Sequence, residues 1–227
     1  VIFGGNSNEK EVSIHTGLSV IDAIQDIYKV IPIDIQGEYK NLYKNLINVD
    51  VVFIALHGGE GENGQIQSFL SQHNIPYTGS ESMASMLAMN KHFTKIIAVE
   101  NGIQTPNWVS VNINNTDESK FLSYKSNQFT YPVVIKPNFQ GSTLGLSIVK
   151  NKDQMKEAIN LASIYSDNII VEKFIKGKEL TVGVLGDRAL EIVEIIPESG
   201  FYDYRAKYTQ GETQYICPAN VDESISK

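Results

Sequence analysis

Apolar and polar positions along this chain switch between a two-residue and a three-to-four-residue period. Val1, Ile2 and Phe3 form a short apolar run ending at Gly4 and Gly5, as a buried strand entering a turn would. Asn6, Ser7 and Asn8 are cap and loop residues. The stretch 9–13 then opens a helix whose apolar side is Val12, Leu18, Val20, Ile21 and Ile24. A second strand is predicted within 28–35 and a third over 50–56, followed by a helix over 65–73. After Gly79-Ser80 a further helix places Met83, Met86, Leu87 and Met89 at apolar positions. Phe93, Ile96 and Ile97 continue its pattern to a C-cap at Asn101-Gly102. Such strand–helix alternation predicts a mainly parallel sheet covered by helices, with ligand loops at the C-terminal ends of the strands.

Beyond about position 90 the pattern changes. The stretch 103–111 contains Pro106 and passes into an extended segment, and 112–115 is polar loop. Thr116-Asp117-Glu118 resembles a helix start, with Phe121 and Leu122 to bury. Val133, Val134 and Ile135 make a β-branched run closed by Lys136, and Pro137 is expected to end its pairing. The run 146–149 begins another strand, and Asn151 caps a helix carrying Met155, Ile159 and Ala162. Strands follow over 168–174, 179–185 and 188–196, the last two joined by a tight Gly186-Asp187 turn. The fold class is therefore α/β: a parallel α/β domain over residues 1–90, then an α+β domain over 91–227.

Composition narrows the functions more than the fold. A net charge of -7 argues against general affinity for nucleic acid or an anionic membrane, while leaving room for a local basic pocket. Cys217 is the single cysteine, which excludes an internal disulfide framework and a Cys-rich zinc site, and fits a reducing compartment. The longest apolar run, 51–56, is far too short to span a bilayer. A start in strand-like sequence without an initiator Met, and a polar, helix-like run over 222–227, read as a fragment cut at both ends.

Four loops carry candidate chemistry. Gly141-Ser142-Thr143-Leu144-Gly145, between two strands and beside Lys136, suits a phosphate-bearing ligand, because small residues leave backbone N–H groups accessible. It is not a Walker A loop, which needs Lys then Ser or Thr after the second glycine and a following helix. An ordinary glycine hairpin accounts for this stretch equally well. Residues 59–64 match G-x-G-x-x-G, but Glu60 and Glu62 inside the loop would repel a pyrophosphate, and no acidic residue ends a following strand. His57 ends a strand where such sheets place ligands, although spacing alone favours a buried loop histidine. Glu9, at the mouth of the first strand, suits either a substrate ammonium or the dipole of the helix it opens, and spacing favours the dipole. Lys91 and Lys136 are candidates for neutralising phosphate, Lys136 the stronger, with a solvated surface lysine as the alternative for each. The segment around Glu172 and Lys173 leaves a strand in a way that suits an adenine, with Glu179 placed to accept from ribose hydroxyls. The aromatic and basic stretch 201–208 lacks either period and reads as a long lid loop or, alternatively, a tyrosine-rich crystal or oligomer contact.

Taken together, FGGNSNEKEVS (3–13), ALHGGEGENGQIQ (55–67), PYTGSESMASMLAMNKHFTK (76–95), VIKPNFQGSTLG (134–145), VEKFIKGKELTV (171–182) and FYDYRAKYTQGETQYICPAN (201–220) resemble the D-alanine–D-alanine ligases. These ATP-grasp enzymes serve peptidoglycan precursor synthesis. The resemblance implies a pre-ATP-grasp domain followed by an ATP-grasp domain that is incomplete at its C-terminus. It implies ATP with Mg²⁺ or Mn²⁺, a cytoplasmic location, a homodimer, and no membrane or nucleic-acid partner. A first D-alanine is activated as an acyl phosphate, and the amine of a second attacks it. Carried onto this chain, Glu9 binds the amino group of the first D-alanine, and Ser142 and Tyr208 complete a hydrogen-bonded triad with it. His57 lies beside the substrate carboxylate. Lys91, Lys136 and the loop around Gly141, Ser142 and Thr143 meet the ATP phosphates, and Lys207 meets the γ-phosphate. Glu172 lies against the adenine, Lys173, Phe174 and Ile175 line it, and Glu179 holds the ribose.

The chain departs from the family in places. Gln140 and Asn63 stand where many relatives have Glu and Asp, each keeping a polar side chain. The family's magnesium-binding Asp, Glu and Asn, with a phosphoryl-stabilising arginine, fall beyond Lys227, so the resemblance implies no metal ligands within the chain and no turnover by it alone. Relatives making D-Ala-D-lactate or D-Ala-D-serine, and a non-catalytic ATP-binding module, are the competing readings. Tyr208 favours the dipeptide, since depsipeptide-forming relatives tend to differ in this loop.

Overall fold

The computed structural model describes residues 1–36, 41–115 and 130–226. Strand β1 (Ile2–Gly4) pairs in parallel with β2 (Ile33–Ile35), Ile2 lying opposite Ile33. The expected second strand thus keeps only its last three residues. The expected third strand is present as parallel bridges, from Ile2 to Ile54 and from Val52 to Tyr77, rather than as one ladder. Helices α1 (Lys10–Ile24), α2 (Leu42–Leu46), α3 (Gly59–Glu62) and α4 (Gln65–Gln72) surround them. Ile2, Ile35, Leu46, Val52, Ile66 and Leu70 fill the core between sheet and helices. The apolar side assigned to α1 is not the buried one: Leu18 is 53% exposed, while Ser13 and Gly17 are buried. A Cβ on Gly17 would fall 2.6 Å from the Phe3 side chain, so the helix rests on β1 through its smallest residues.

The single helix expected from 80 to 101 is two, α5 (Ser82–Met89) and α6 (Lys91–Glu100). Asn90 breaks it by adopting ψ 97°, and its side-chain oxygen accepts from the Phe93 N–H, an N-cap bond that starts α6 afresh. The same oxygen accepts from Asn138 Nδ2 at 2.9 Å, tying the helix start to the glycine loop. The assigned apolar face is again mostly outside. Met83, Met86, Phe93 and Ile97 are exposed, and the residues buried by α5 and α6 are Ser85 and Lys95.

The second half contains a four-stranded antiparallel sheet built from β3 (Trp108–Asn112), β4 (Val133–Pro137), β5 (Ser147–Val149) and β6 (Asn168–Lys173), in the order β3-β6-β4-β5. Pro137 is the last paired residue of β4, opposite Ile169, rather than the first unpaired one. Helix α7 (Met155–Ser163) packs Met155, Ala158 and Ala162 onto Ile135, Ile169 and Val171. Strands β7 (Glu179–Leu185), β8 (Arg188–Pro197) and β9 (Thr213–Ile216) make a separate antiparallel sheet. The stretch 201–208 contains a short helix, α8 (Tyr204–Tyr208), because Asp203 accepts from the Ala206 N–H at 2.8 Å and caps it. A last helix, α9, spans Glu223–Ser226. The helix start expected at 116–118 lies outside the described residues. A parallel α/β unit followed by antiparallel α+β structure is the expected fold class. Among the described residues no helix is long and apolar enough to cross a membrane.

Ile169 is fully buried where β6 meets α7. Ile169→Ala is expected to lower stability by about 2–5 kcal/mol in urea unfolding. Leu161→Ala, on the exposed side of α7 at 40% exposure, is expected to change it by less than about 0.5 kcal/mol.

Candidate functional site

Glu9 occupies the N-cap position of α1, yet its side chain makes no cap hydrogen bond. The carboxylate instead points into a cleft between the two halves and is only 3% exposed. Its Oε1 accepts from Ser142 Oγ at 2.5 Å and from the Tyr208 hydroxyl at 2.7 Å, and the two hydroxyls are 2.8 Å apart. Its Oε2 faces glycines. A Cβ on Gly58 would sit 2.5 Å from it, and one on Gly141 3.7 Å away. Two hydroxyl protons thus converge on one oxygen, while the other oxygen faces two glycines whose missing Cβ atoms leave it room. Burial raises the Tyr208 phenol well above its usual range; the Ser142 hydrogen bond opposes this and the Glu9 hydrogen bond and charge add to it. Tyr208 therefore stays a neutral donor.

The loop that delivers Ser142 is conformationally strained. Ser142 and Thr143 have φ of 50° and 63°, the left-handed region that costs a non-glycine residue roughly 1–2 kcal/mol each. The glycines were expected to take such turns, but Gly141 is not among the left-handed residues, whereas Gly145 is, at φ 72°. Side chains hold the strained pair: Ser142 through Glu9 and Tyr208, and Thr143 by donating from Oγ1 to the Tyr202 carbonyl at 2.9 Å. The strand at 52–55 and the 57–59 loop are positioned by two serines of the first loop and helix. Ser13 Oγ accepts from the Gly4 N–H and donates to the Ala55 carbonyl, each at 2.8 Å. Ser7 Oγ accepts from the Glu9 N–H and donates to the His57 carbonyl. The His57 ring is fixed by Thr16, whose hydroxyl lies 2.9 Å from Nε2.

Lysines gather along the same cleft. Lys91, first residue of α6, donates from Nζ to the Gln140 carbonyl of the glycine loop. Burial pushes its ammonium down to about 8, with the charge of Lys136 acting in the same direction and Glu172 opposing. Lys136 pairs with Glu172, which also meets Lys95 Nζ at 2.8 Å. Lys207 lies 5.1 Å from the Tyr202 ring centroid. Burial lowers its pKa, while Glu9, Glu179 and Glu62 raise it. Lys173 continues β6, its N–H donating to the Asn107 carbonyl, and the Phe174 N–H donates to the Pro132 carbonyl. Ile175 is exposed, as is Glu179 at the start of β7. These last four sit on the chain leading away from Glu172, and of them Glu179 acts electrostatically on Lys207 and Tyr202.

Sequence reasoning missed Glu62, Thr16, Tyr202 and Lys95. The G-x-G-x-x-G stretch is no dinucleotide loop: residues 59–62 form the single turn α3. Its acid Glu62 is turned toward Gly141 and acts electrostatically on Lys91 and Lys207. Among the described residues, no group of three or more His, Cys, Asp or Glu side chains could hold a metal ion. The site thus offers a buried carboxylate with two neutral donors on one side, and three lysines around a glycine loop on the other. That combination suits a small ammonium-bearing ligand beside a polyanion.

Comparison with known proteins gives one consistent result. The profile of the family described as D-ala D-ala ligase C-terminus matches residues 97–227, and that of its N-terminus matches residues 38–80. A D-alanine–D-alanine ligase of Geobacter sulfurreducens is 42% identical, over 96% of this chain and 67% of its own length. The crystal structure of a D-alanine–D-alanine ligase from Bacillus anthracis complexed with ATP superposes with TM-score 0.81 at 31% identity, covering 99% of this chain and 71% of that one. The VanG D-Ala:D-Ser ligase of Enterococcus faecalis gives TM-score 0.78 at 31% identity, over 99% and 77% of the two chains.

The geometry of the Glu9 cluster has a consequence independent of any ligand. Tyr208→Phe leaves Glu9 with Ser142 alone and removes one of the three restraints on the strained loop. Amide exchange at residues 141–145 and 206–208 is expected to accelerate, while the global unfolding free energy changes by no more than about 0.5–1.5 kcal/mol.

Proposed function

Because this chain belongs to the D-alanine–D-alanine ligase family, we propose that its cleft joins two D-alanines at the expense of ATP, giving D-alanyl-D-alanine, ADP and phosphate. The observation that carries this reading is the Glu9–Ser142–Tyr208 cluster beside the Lys91, Lys136 and Lys207 ammonium groups. In it, the ammonium of the first D-alanine meets Glu9 on the Oε2 side that Gly58 and Gly141 leave open. The carboxylate of that D-alanine then lies toward His57, held by Thr16, and toward the glycine loop. Its oxygen attacks the γ-phosphorus of ATP, the bond to the β–γ bridging oxygen breaks, and ADP leaves. The amine of the second D-alanine attacks the resulting acyl carbon, loses a proton and expels phosphate.

The side chains of this cleft contribute mainly position and charge. Lys91, Lys136 and Lys207 offset charge on the transferring phosphoryl, and the strained 142–143 pair keeps the loop against the substrate rather than against water. Glu172 lies against the adenine, Lys173, Phe174 and Ile175 line it, and Glu179 holds the ribose. Mg²⁺ or Mn²⁺ belongs to the reading as the companion of ATP. The described residues gather no carboxylate cluster to hold it, and no step is assigned to it. A homodimer working in the cytoplasm completes the proposal.

A second reading rests on the similarity to a D-Ala:D-Ser ligase. Residues 1–227 alone are expected not to turn over, so the product is read on the chain joined to the family's metal-binding segment: with ATP, D-alanine and competing D-serine and D-lactate, D-alanyl-D-alanine as the main product supports the dipeptide reading, and a mixed product in excess overturns it. Binding tests the site without turnover. Glu9→Gln is expected to weaken D-alanine binding at least tenfold in calorimetry while leaving ATP binding within about twofold.

Nucleotide binding should also depend on pH with a predictable sign. The Lys91 pKa of about 8 lies below its ordinary value, so the free protein carries this charge below pH 8 and loses it above. ATP affinity is therefore expected to fall as pH rises from 7 through 9, by up to tenfold per unit above the pKa. In Lys91→Arg, which keeps its charge throughout, that part of the fall is expected to vanish.

A further inference from the structure

Lys95 is the buried residue of α6, 8% exposed on a helix whose Phe93, Ile96 and Ile97 face outward. A lysine takes the inner position because three acceptors meet it there. Its Nζ lies 2.8 Å from Glu172 Oε2, 2.7 Å from Thr105 Oγ1 and 3.1 Å from the Pro106 carbonyl. The Trp108 ring centroid is 5.3 Å away. Thr105 and the Pro106 carbonyl accept hydrogen bonds from this ammonium, whereas Glu172 Oε2, buried and without a hydrogen bond of its own, meets it as an ion pair. Buried among these partners, Lys95 is turned to the protein interior rather than to the glycine loop that Lys91 meets. What it holds is Glu172, whose backbone is clamped in register between Trp108 and Val134. With Oε2 fixed from behind, Oε1 is turned toward Lys136, the more exposed of the two lysines.

We propose that Lys95 is a positioning residue that sets nucleobase selectivity. By anchoring Oε2 it presents Glu172 Oε1 to the cleft, where it accepts a hydrogen bond from the 6-amino group of adenine and repels a 6-oxo group. The inference rests on the reading above that Glu172 lies against the base. Its chemistry is one of acceptor against acceptor: a carboxylate oxygen has no proton to offer a 6-oxo purine, so the wrong base leaves two acceptors facing each other. A carboxylate free to rotate would lose that selectivity by turning away.

The test compares dissociation constants for ATP and ITP, which differ at purine position 6, by calorimetry on the full chain. The unmodified protein is expected to prefer ATP by roughly tenfold to a hundredfold, the range for a hydrogen bond to a charged group. Lys95→Met is expected to bring the ITP/ATP ratio down toward one. Loss of folded protein lowers the titrated stoichiometry but leaves this ratio unchanged, so a purely structural role does not move it. Glu172→Gln is expected to lower the ratio as well, because its amide can turn its donor toward a 6-oxo group. If Lys95→Met weakens both nucleotides equally while Glu172→Gln changes the ratio, the inference about Lys95 is wrong and the reading of Glu172 stands. If Glu172→Gln leaves ratio and affinity unchanged, the placement of the base fails and the inference falls with it. Should Lys95→Met not fold, the double variant Lys95→Met/Glu172→Gln, which removes both charges of the pair, decides. A ratio equal to that of Glu172→Gln supports action through Glu172, and a different ratio overturns it.

Discussion

Glu9 Oε1 accepts hydrogen bonds from residues 133 and 199 positions further along the chain, and much of the cleft depends on that convergence. Each bond to a charged acceptor is worth about 1.5–3 kcal/mol when buried. The strain of about 1–2 kcal/mol in each of Ser142 and Thr143 is of the same order. The loop therefore stays in its left-handed turn only while Glu9, Tyr208 and the Tyr202 carbonyl hold it. That makes the cleft a closed arrangement sustained by the site itself rather than by a hydrophobic core. The flanking cores, centred on Ile2 and Leu70 in one half and on Ile135 and Ile169 in the other, supply the two rigid walls.

Charge in the cleft is balanced locally. A protein of net charge -7 collects Lys91, Lys95, Lys136 and Lys207 in one place and sets Glu9, Glu62, Glu172 and Glu179 among them. Burial acts against Lys91 and Lys207, and the acids offset part of it. The two kinds of lysine are separated by their partners. Lys95 is buried against Thr105, Pro106 and Glu172 and serves the scaffold, whereas Lys91 and Lys207 have depressed pKa values that a polyanion would restore.

Local pattern and tertiary structure disagree most on the helices. The apolar residues of α1, α5 and α6 follow helical spacing well enough to identify helices, yet the buried positions are Ser13, Gly17, Ser85 and Lys95. Close packing against β1 selects the small residues of α1, as the 2.6 Å approach to Phe3 requires. The break at Asn90 was likewise invisible, since its cause is a buried amide pair with Asn138, 48 residues away. Helix α8 and strand β9 escaped because their residues carry neither period, and an Asp203 cap and pairing with β8 decide them instead.

By itself the sequence determined most of the strand runs, the fold class, and the motifs that point to a ligase using ATP, because these reside in adjacent residues and short spacings. Lys136 at the end of a β-branched strand and Ser142 within a glycine loop were legible for that reason. Only the tertiary structure decided which faces are buried, why Glu9 leaves its helix cap for the cleft, and that Lys95 lies beneath Glu172. Each of these is a contact between distant segments, and a hydrogen bond spanning 199 residues leaves no trace in local periodicity.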